Sequence, residues 1–321
     1  MHDCGMEGTG AQHGYGRNAT LARRKKALQQ RARLLQGIRR FFIGKGYLEV
    51  ETPHRIPTPA PESYIDAVPS DTWFLHASPE ICMKRMMAAG YEKVFQICRC
   101  WRGKERGSQH LPEFTLLEWY RAGGDYRSLM EECEELIRSV AGAIGLGQKI
   151  IFRGHEIDLS EPWERISVNE AFQGYTQTSA TEALERKLFD EIMVQDIEPR
   201  LGVEKPTFIY DYPAERAALA RLKQEDQSVA ERFELYAGGL ELANGFSELV
   251  DSKEQRKRFY IENENRQSLG RRIYPMPDKF LAELDDMPPS AGIALGVDRL
   301  VMVFLDAKSI DEVVAFTPEE L

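Results

Sequence analysis

The stretch Gly292-Ile293-Ala294-Leu295-Gly296-Val297-Asp298-Arg299 runs directly into an apolar segment over residues 300–305. Its glycine-rich start predicts a strand, and the apolar segment predicts a helix that begins beside the arginine. Glycines let a ligand approach the backbone, and an arginine at a helix start can reach an anion that the helix dipole already favours. Taken alone, the stretch also fits an ordinary strand-to-helix turn. Its interpretation therefore depends on the other blocks of the chain.

A second block surrounds Arg102. Residues 94–101 and 114–119 each predict a strand, and the polar segment between them, residues 102–112, predicts a loop. This cation-rich hairpin has two interpretations. It is either an exposed hairpin with surface charges or a nucleotide site. In the nucleotide site, Arg102 would hold a phosphate through two hydrogen bonds and Phe114 would give a base a stacking face.

The third block is Glu241-Leu242-Ala243-Asn244-Gly245-Phe246-Ser247-Glu248. It puts two carboxylates into an otherwise apolar strand, which is costly unless each carboxylate meets a cation. A regular strand would point Glu241 and Glu248 to opposite faces, so a bulge or turn at Gly245 is needed to bring them together. Magnesium ions that bridge ATP phosphates suit such oxygens. A satisfied polar strand end is the alternative.

The remaining periodic segments predict the other elements. A helical spacing of apolar residues runs from 21 to 42, Ser78-Pro79-Glu80 starts a second helix, and Ser128 with Glu131 fits a capping box at the head of a third. The other predicted elements are helices over residues 184–192 and 251–269, strands over 47–51 and 207–210, and a proline-rich loop over 56–72.

Composition and charge limit the class of protein. A formal net charge of -9 argues against wrapping a nucleic-acid backbone by bulk electrostatics, although the basic run over residues 23–40 fits either a solvated helix face or a local nucleic-acid site. No apolar run is long enough to span a membrane. Five cysteines without metal-ligand spacing predict reduced thiols and a cytoplasmic location, with Cys98 and Cys100 on one face of a strand. We expect a flexible tail over residues 1–20 and one domain over residues 21–321.

Together and in this order, the blocks resemble the signature motifs of class II aminoacyl-tRNA synthetases. Residues 46–53 resemble motif 1, residues 102–118 motif 2, and residues 296–299 motif 3. The resemblance covers nearly all of residues 21–321. It implies an α+β fold, in which a mainly antiparallel sheet is flanked by helices, and a homodimer formed through the motif 1 region.

Shorter matches narrow the resemblance to the lysyl-tRNA synthetase branch. They are Ser78-Pro79-Glu80, His110-Leu111-Pro112-Glu113-Phe114-Thr115, Glu118-Trp119-Tyr120 and Asn244-Gly245-Phe246-Ser247-Glu248. We expect only a tail and one helix before motif 1, where lysyl-tRNA synthetases carry an anticodon-binding domain. In this expected short region before motif 1, and in Ser78 and Ala294, the chain is similar to the elongation factor P lysine lysyltransferase family. Its members activate (R)-β-lysine and attach it to a lysine side chain of elongation factor P.

The resemblance implies an ATP site with bound Mg²⁺. Arg102 would hold the α-phosphate and the substrate carboxylate, Arg299 would hold the γ-phosphate, and Phe114 would stack on adenine. Glu241 and Glu248 would bind the magnesium. The other residues of the implied ATP site are Gly103, Lys104, His110, Leu111, Leu242 and Gly296.

The resemblance also implies a site for (R)-β-lysine or lysine. Glu80 would receive the amino group near the reacting end, while Tyr120 and Glu248 would receive the far ammonium. Ser78, Pro79, Asn244 and Ala294 would complete this site. Catalysis would then be mainly positioning and charge stabilisation. The implied acceptor is elongation factor P and not tRNA, which is bound through many phosphate contacts.

Some positions depart from the motif 2 pattern. Trp101-Arg102-Gly103-Lys104 stands where Phe-Arg-Asn-Glu is usual, with Glu105 one place late, and Leu111 replaces an asparagine. Either Glu105 moves inward through a change in the loop, or backbone groups suffice to hold adenine. Two rival interpretations follow. One is a class II enzyme without an anticodon domain that acts on tRNA or a small-molecule acceptor, and the other is a catalytically idle regulatory subunit.

Overall fold

The computed structural model describes residues 19–217 and 219–321. Within them the α-helices are α1 (Ala19–Gly44), α2 (Glu80–Ala88), α3 (Tyr126–Ala143), α4 (Val168–Tyr175), α5 (Ala180–Glu185), α6 (Phe189–Ile192), α7 (Ser252–Ser268), α8 (Asp278–Glu283) and α9 (Val297–Leu305). The strands are β1 (Leu48–Glu49), β2 (Arg55–Ile56), β3 (Val68–Ser70), β4 (Trp73–Leu75), β5 (Lys93–Trp101), β6 (Glu113–Ala122), β7 (Lys149–Phe152), β8 (His155–Asp158), β9 (Glu164–Ser167), β10 (Thr207–Pro213), β11 (Val229–Ala237), β12 (Leu240–Ser247) and β13 (Ser290–Gly296).

Eight of these strands form one mixed sheet in the order β1-β5-β6-β13-β12-β11-β10-β9. The outermost pairs, β1 with β5 and β9 with β10, are parallel, and the five pairs between them are antiparallel. Helices flank this sheet. The predicted α+β fold with a mainly antiparallel sheet is confirmed.

One face of the central strands forms the main core. Trp119, Ile293, Ala243 and Phe233 all lie on this face and are buried. Helices α3 and α9 pack against it, and α1 packs over both helices. Side chains alternate between the two faces of a strand. Apolar residues at every second position therefore bury this face of the sheet. Each large buried side chain contributes roughly 1.5–3 kcal/mol.

The opposite face of the same strands carries the polar and small side chains. One cross-strand row consists of Glu118, Ala294, Asn244 and Glu234. The neighbouring row, two residues further along each strand, consists of Tyr120, Gly292, Phe246 and Arg232. The periodicity that buries the core therefore also assembles a polar surface from four strands.

Several local predictions need correction. Helix α3 is capped by Asp125, whose carboxylate accepts from the Ser128 amide at 2.8 Å, so the predicted Ser128–Glu131 box is wrong. The predicted helix over residues 184–192 is broken into α5 and α6, followed by a π-helical turn (Met193–Ile197). The proline-rich segment 56–72 contains β3 and the end of β2. The predicted strand over 47–51 is reduced to β1.

Other predictions concern the chain outside the sheet. The predicted tail over residues 1–20 lies outside the described residues up to residue 18, and Ala19 and Thr20 belong to α1. The Sγ atoms of Cys98 and Cys100 lie 3.8 Å apart on one face of β5, as predicted. In the described part of the chain, the helices are all too short or too polar to cross a membrane.

Candidate active site

A cavity of about 390 Å³ opens on the polar face of the sheet. This volume is in the range of small-molecule sites. Most of the residues predicted for the two substrates line it: Ser78, Glu80, Arg102, His110, Leu111, Phe114, Tyr120, Glu241, Leu242, Asn244, Ala294, Gly296 and Arg299. The predicted residues that do not line it are Pro79, Gly103, Lys104 and Glu248.

Arg102 lies where β5 enters the loop to β6. Its amide donates to the carbonyl of Pro112 at 2.9 Å, which fixes the base of the loop. The guanidinium lies 5.1 Å from the centre of the Phe114 ring and 4.0 Å from Glu105. Its buried Nε has no hydrogen-bond acceptor among the described residues. An unsatisfied buried guanidinium donor at a cavity wall suits an anionic ligand.

The side chains of Lys104 and Glu105, in the motif 2 loop, point in different directions. Lys104 adopts a left-handed backbone conformation with φ of 67°, and its side chain is 89% exposed. It points to Asp66, outside the cavity, which corrects its predicted place in the ATP site. Glu105 lines the cavity instead. This geometry favours the first alternative, because Lys104 turns outward and Glu105 faces the cavity.

Gly103 and Pro79 support the site from outside the cavity. The Gly103 amide donates to the carbonyl of Asp66 at 2.6 Å, and a Cβ at this glycine would lie 3.2 Å from the same oxygen. Glycine thus allows two loops to approach closely. Pro79 is the residue before α2 and places Glu80 in the first turn of that helix.

Arg299 and His110 form the cationic corner of the cavity. Arg299 donates to Nε2 of His110 at 2.6 Å and to the carboxylate of Glu241 at 3.2 Å. Arginine is always a donor, so Nε2 accepts and the imidazole is neutral. Burial, followed by the neighbouring Arg299 charge, lowers the pKa of His110, which agrees with this assignment.

Asp298 braces this corner, a role that sequence reasoning missed. Its carboxylate accepts from the Thr115 amide at 2.7 Å on β6 and forms an ion pair of 2.5 Å with Arg31 of α1. All three residues are buried. Asp298 therefore fixes the start of α9, and with it Arg299, against two other elements.

Glu118 is a second residue that sequence reasoning had left without a role. Its carboxylate accepts from the Ser78 hydroxyl at 2.6 Å and from the Tyr120 hydroxyl at 2.9 Å. Burial, and then the nearby Glu80, raise the pKa of Glu118 well above its usual range. Ser78 and Tyr120 are thus positioned by a shared buried carboxyl group, and Ala294 is the next residue in its row.

Glu248 lies below the cavity wall, fully buried, with its Oε2 2.5 Å from Nζ of Lys84. Lys84 also contacts Glu80 at 2.5 Å. The other oxygen of Glu248, Oε1, has no hydrogen-bond donor in the described residues. A Cβ on Gly292 would collide with both Glu248 and Tyr120, so only glycine leaves room for the two side chains here.

The structure separates the two carboxylates of the predicted magnesium pair. A bulge does bring Glu241 to the cavity face, but the ladder shifts between Glu241 and Ala243, not at Gly245. Strands rise roughly 3.3 Å per residue, so Glu241 and Glu248 are about 20 Å apart, too far to share an ion. Glu248 contacts Lys84, whereas Glu241 lines the cavity beside Arg299.

The acidic neighbours of Glu241 are residues that the sequence did not single out. Burial raises the pKa of Glu234, and the nearby Glu241 adds to this rise. Burial, with further contributions from Glu234 and Glu241, raises the pKa of Glu198 to about 7. Glu234 accepts from Tyr212 and Tyr236 and pairs with Arg232 at 2.6 Å. Magnesium typically takes one or two carboxylates together with substrate phosphates. Glu241, as a cavity-lining carboxylate among acidic neighbours, fits that donor set.

The fold and this cavity define a class II synthetase, and comparison with known proteins agrees. The family model described as "tRNA synthetases class II (D, K and N)" matches residues 17–320, and the chain belongs to this family. Similar curated proteins are named elongation factor P–(R)-β-lysine ligase. The protein of Proteus mirabilis (strain HI4320) is 41% identical over 90% of this chain and 94% of its own length. The protein of Salmonella gallinarum (strain 287/91 / NCTC 13346) is 42% identical over the same shares.

Proposed function

We propose that the chain is an ATP-dependent ligase that activates (R)-β-lysine, or lysine, as an aminoacyl-adenylate and transfers it to a lysine side chain of elongation factor P. One observation carries the proposal. A single cavity joins an end lined by Arg102, Arg299 and the Phe114 ring to a second end lined by the carboxyl groups of Glu80 and Glu118. ATP and a diamino acid have the charges that these two ends complement.

In the first step a substrate carboxylate oxygen attacks the α-phosphorus of ATP, the new C–O–P bond forms, and pyrophosphate leaves. Arg102 stabilises the charge that develops on the α-phosphate, and its unsatisfied Nε is free to do so. Arg299, fixed by α9, holds the γ-phosphate. Magnesium, when bound with ATP, would supply positive charge that offsets the charge on the phosphates, and the Glu241 carboxylate would hold it.

The amino acid is oriented by its two ammonium groups. Glu248 presents an unpaired buried oxygen beside Tyr120, which suits the far ammonium. Glu80, in the first turn of α2, receives the near ammonium. A hydrogen bond to a charged group contributes about 1.5–3 kcal/mol, so two such groups select strongly for a diamino acid.

In the second step the acceptor amine attacks the adenylate carbonyl carbon. An amide bond forms, AMP leaves with the bonding electrons, and the amine loses a proton. The names of the similar proteins support elongation factor P as the acceptor. The net charge of -9 also disfavours tRNA, because its binding relies on many cationic contacts.

We infer a homodimer formed through the motif 1 region. Strand β1 lies at the edge of the large sheet, and Leu48 in it is 50% exposed, while Ile43 at the end of α1 is 61% exposed. An edge strand with exposed apolar neighbours is suited to pairing with a second chain. Light scattering coupled to size exclusion would measure the mass. A monomer at micromolar concentration would contradict this inference.

Mass spectrometry of the acceptor tests the function. Purified elongation factor P is incubated with the enzyme, ATP, magnesium and either (R)-β-lysine or lysine, and a parallel reaction contains lysine tRNA. We expect one added lysyl unit on one lysine of elongation factor P. Charging of tRNA with an unmodified protein acceptor would replace the proposal with the tRNA-charging interpretation. Absence of any ATP–pyrophosphate exchange would favour the idle regulatory subunit.

A further inference from the structure

A carboxylate outside the predicted site also faces the cavity. Glu62 lies in the loop between β2 and β3 and lines the cavity that contains Glu80 and Arg102. Its carbonyl oxygen is hydrogen-bonded, but within residues 19–217 and 219–321 its carboxylate has no hydrogen-bond or ion-pair partner. A carboxylate at a cavity wall without a paired cation is costly, and a ligand that carries a cation removes that cost.

The loop that carries Glu62 is rigidly held. Arg266 of α7 is fully buried, and its Nη1 donates to the carbonyl oxygens of Glu62 and Ile65, each at 2.7 Å. The amide of Ser63 donates to Glu262 of the same helix at 2.7 Å. The backbone on both sides of Glu62 is therefore fixed, as expected for a side chain that must meet a ligand in one position.

The surroundings of Glu62 select the charge of that ligand. Burial raises the pKa of Glu62 to about 7. Among the charged groups that face its carboxyl, Arg102 and Arg232 lower this pKa. Glu80 and Glu262 raise it. Glu80 shares a single cation, Lys84, with Glu248. A positive group between Glu62 and Glu80 would relieve their mutual repulsion, whereas a phosphate or carboxylate there would increase it.

We propose that Glu62, together with Glu80, binds the ammonium group nearest to the carboxylate of the diamino acid, which makes Glu62 a residue that determines amino-acid specificity. This inference rests on the proposed function. The far ammonium remains with Glu248 and Tyr120. Glu62 acts on binding of the amino acid and has no contact with the acceptor protein in this scheme.

The test compares amino acids in ATP–pyrophosphate exchange catalysed by the full chain. The probes are (R)-β-lysine, lysine and ε-aminocaproate, which keeps the carboxylate and the far ammonium but lacks the near ammonium. In the Glu62→Gln variant we expect the KM for both diamino acids to rise on the order of 10- to 100-fold, the scale of one lost charged hydrogen bond. The KM for ATP and the kcat/KM for ε-aminocaproate should stay unchanged.

Two further variants separate binding from folding. Glu62→Asp keeps the charge and should recover part of the lost affinity, and the exposed Glu225→Gln, outside the cavity and the motif 1 region, should behave as the wild type. An unchanged KM for the diamino acids in Glu62→Gln, or an equal loss with ε-aminocaproate, would overturn the inference while wild-type exchange upholds the proposed function. No exchange by the wild type with any diamino acid would overturn both.

Discussion

Lys84 and Glu248 form an ion pair of 2.5 Å in which both side chains are almost completely buried. The same ammonium contacts Glu80 of the preceding helical turn, so one cation serves two carboxylates. Burial raises the pKa of Glu248 to about 8 even against the lowering effect of Lys84. The pair holds α2 against the end of β12, directly beneath the cavity wall.

Replacing Lys84 with methionine should destabilise the fold. The change leaves Glu80 and Glu248 buried without their cation, and breaking a buried pair in this way costs about 3–5 kcal/mol. The folded-state pKa of Glu248, already raised by burial, should then rise further above its unfolded value. The loss of unfolding free energy should therefore be small near pH 5 and grow toward pH 8. Urea unfolding at both pH values measures it, with the exposed Lys308→Met as the control. An equal loss at both pH values would contradict this account.

Adding one methyl group at Gly292 should weaken binding of the far ammonium. A Cβ there collides with Glu248 and Tyr120, so the two side chains must separate. We expect Gly292→Ala to raise the KM for lysine at least tenfold, with little change in the KM for ATP. Gly44→Ala is a matched control, because nothing lies within 4 Å of its added Cβ. Normal lysine kinetics in Gly292→Ala would remove Glu248 and Tyr120 from the site.

Norleucine should be a very poor substrate. It has the shape of lysine without the far ammonium, so the unpaired oxygen of Glu248 stays without a partner. Sites built to bond a polar substrate group reject analogues that lack it by a factor on the order of 10⁴. Pyrophosphate exchange with each amino acid gives the ratio of kcat/KM values. Comparable values for norleucine and lysine would refute the assignment of the far-ammonium site.

Replacing Arg102 with alanine should slow adenylate formation without unfolding the protein. Loss of one preorganised charged contact costs about 2–4 kcal/mol of transition-state stabilisation. The control is Arg99→Ala on the preceding strand β5, whose side chain is 47% exposed and lies outside the cavity lining. Exchange kinetics and thermal unfolding are measured on both variants. Undiminished exchange in Arg102→Ala would show that the phosphate site is misplaced.

The affinity for a diamino acid should depend on pH through Glu62. Its raised pKa of about 7 means that the carboxyl is charged above this pH and protonated below it. Only the charged form attracts an ammonium, so KM should rise as pH falls from 8 to 6. The ratio of kcat/KM for (R)-β-lysine to that for ε-aminocaproate isolates this site from Glu248. In the wild type that ratio should decrease as the pH is lowered from 8 to 6. In Glu62→Gln it should not change with pH. A flat wild-type ratio would contradict the titration of Glu62.

Much of the fold follows from periodicity. Strand β5 is predicted within one residue of its observed ends, whereas β6 is predicted one residue short at its start and three residues short at its end. The glycine-rich strand before α9 is also found, as β13. The resemblance to class II synthetases, and not the periodicity, assigned Tyr120, Asn244 and Ala294 to one site. The order of the three motif blocks then brought Arg102, Phe114 and Arg299 to one cavity.

Contacts between distant parts of the chain could not be predicted in this way. Lys84 and Glu248 are far apart in sequence, so Glu248 was assigned to a metal ion and not to its actual cation. Gly245 was expected to form a bulge, yet its role is packing: a Cβ there would lie 2.7 Å from Phe233 and 2.9 Å from Ile293. Glu62 in a proline-rich loop gave no sign that it was other than a solvated charge.

The two faces of the central sheet give folding and selectivity separate sets of residues. Every cavity-facing position on β6, β13, β12 and β11 alternates with a core position on the same strand. Side chains in the polar rows can therefore be exchanged, and a different amino acid accepted, without touching the residues that hold the sheet together. An inserted residue has the opposite effect, since it would turn both faces of a strand over at once. The bulge beside Glu241 is tolerated because it lies at the very start of β12. This scaffold can diverge through substitutions while remaining intolerant of insertions within its central strands.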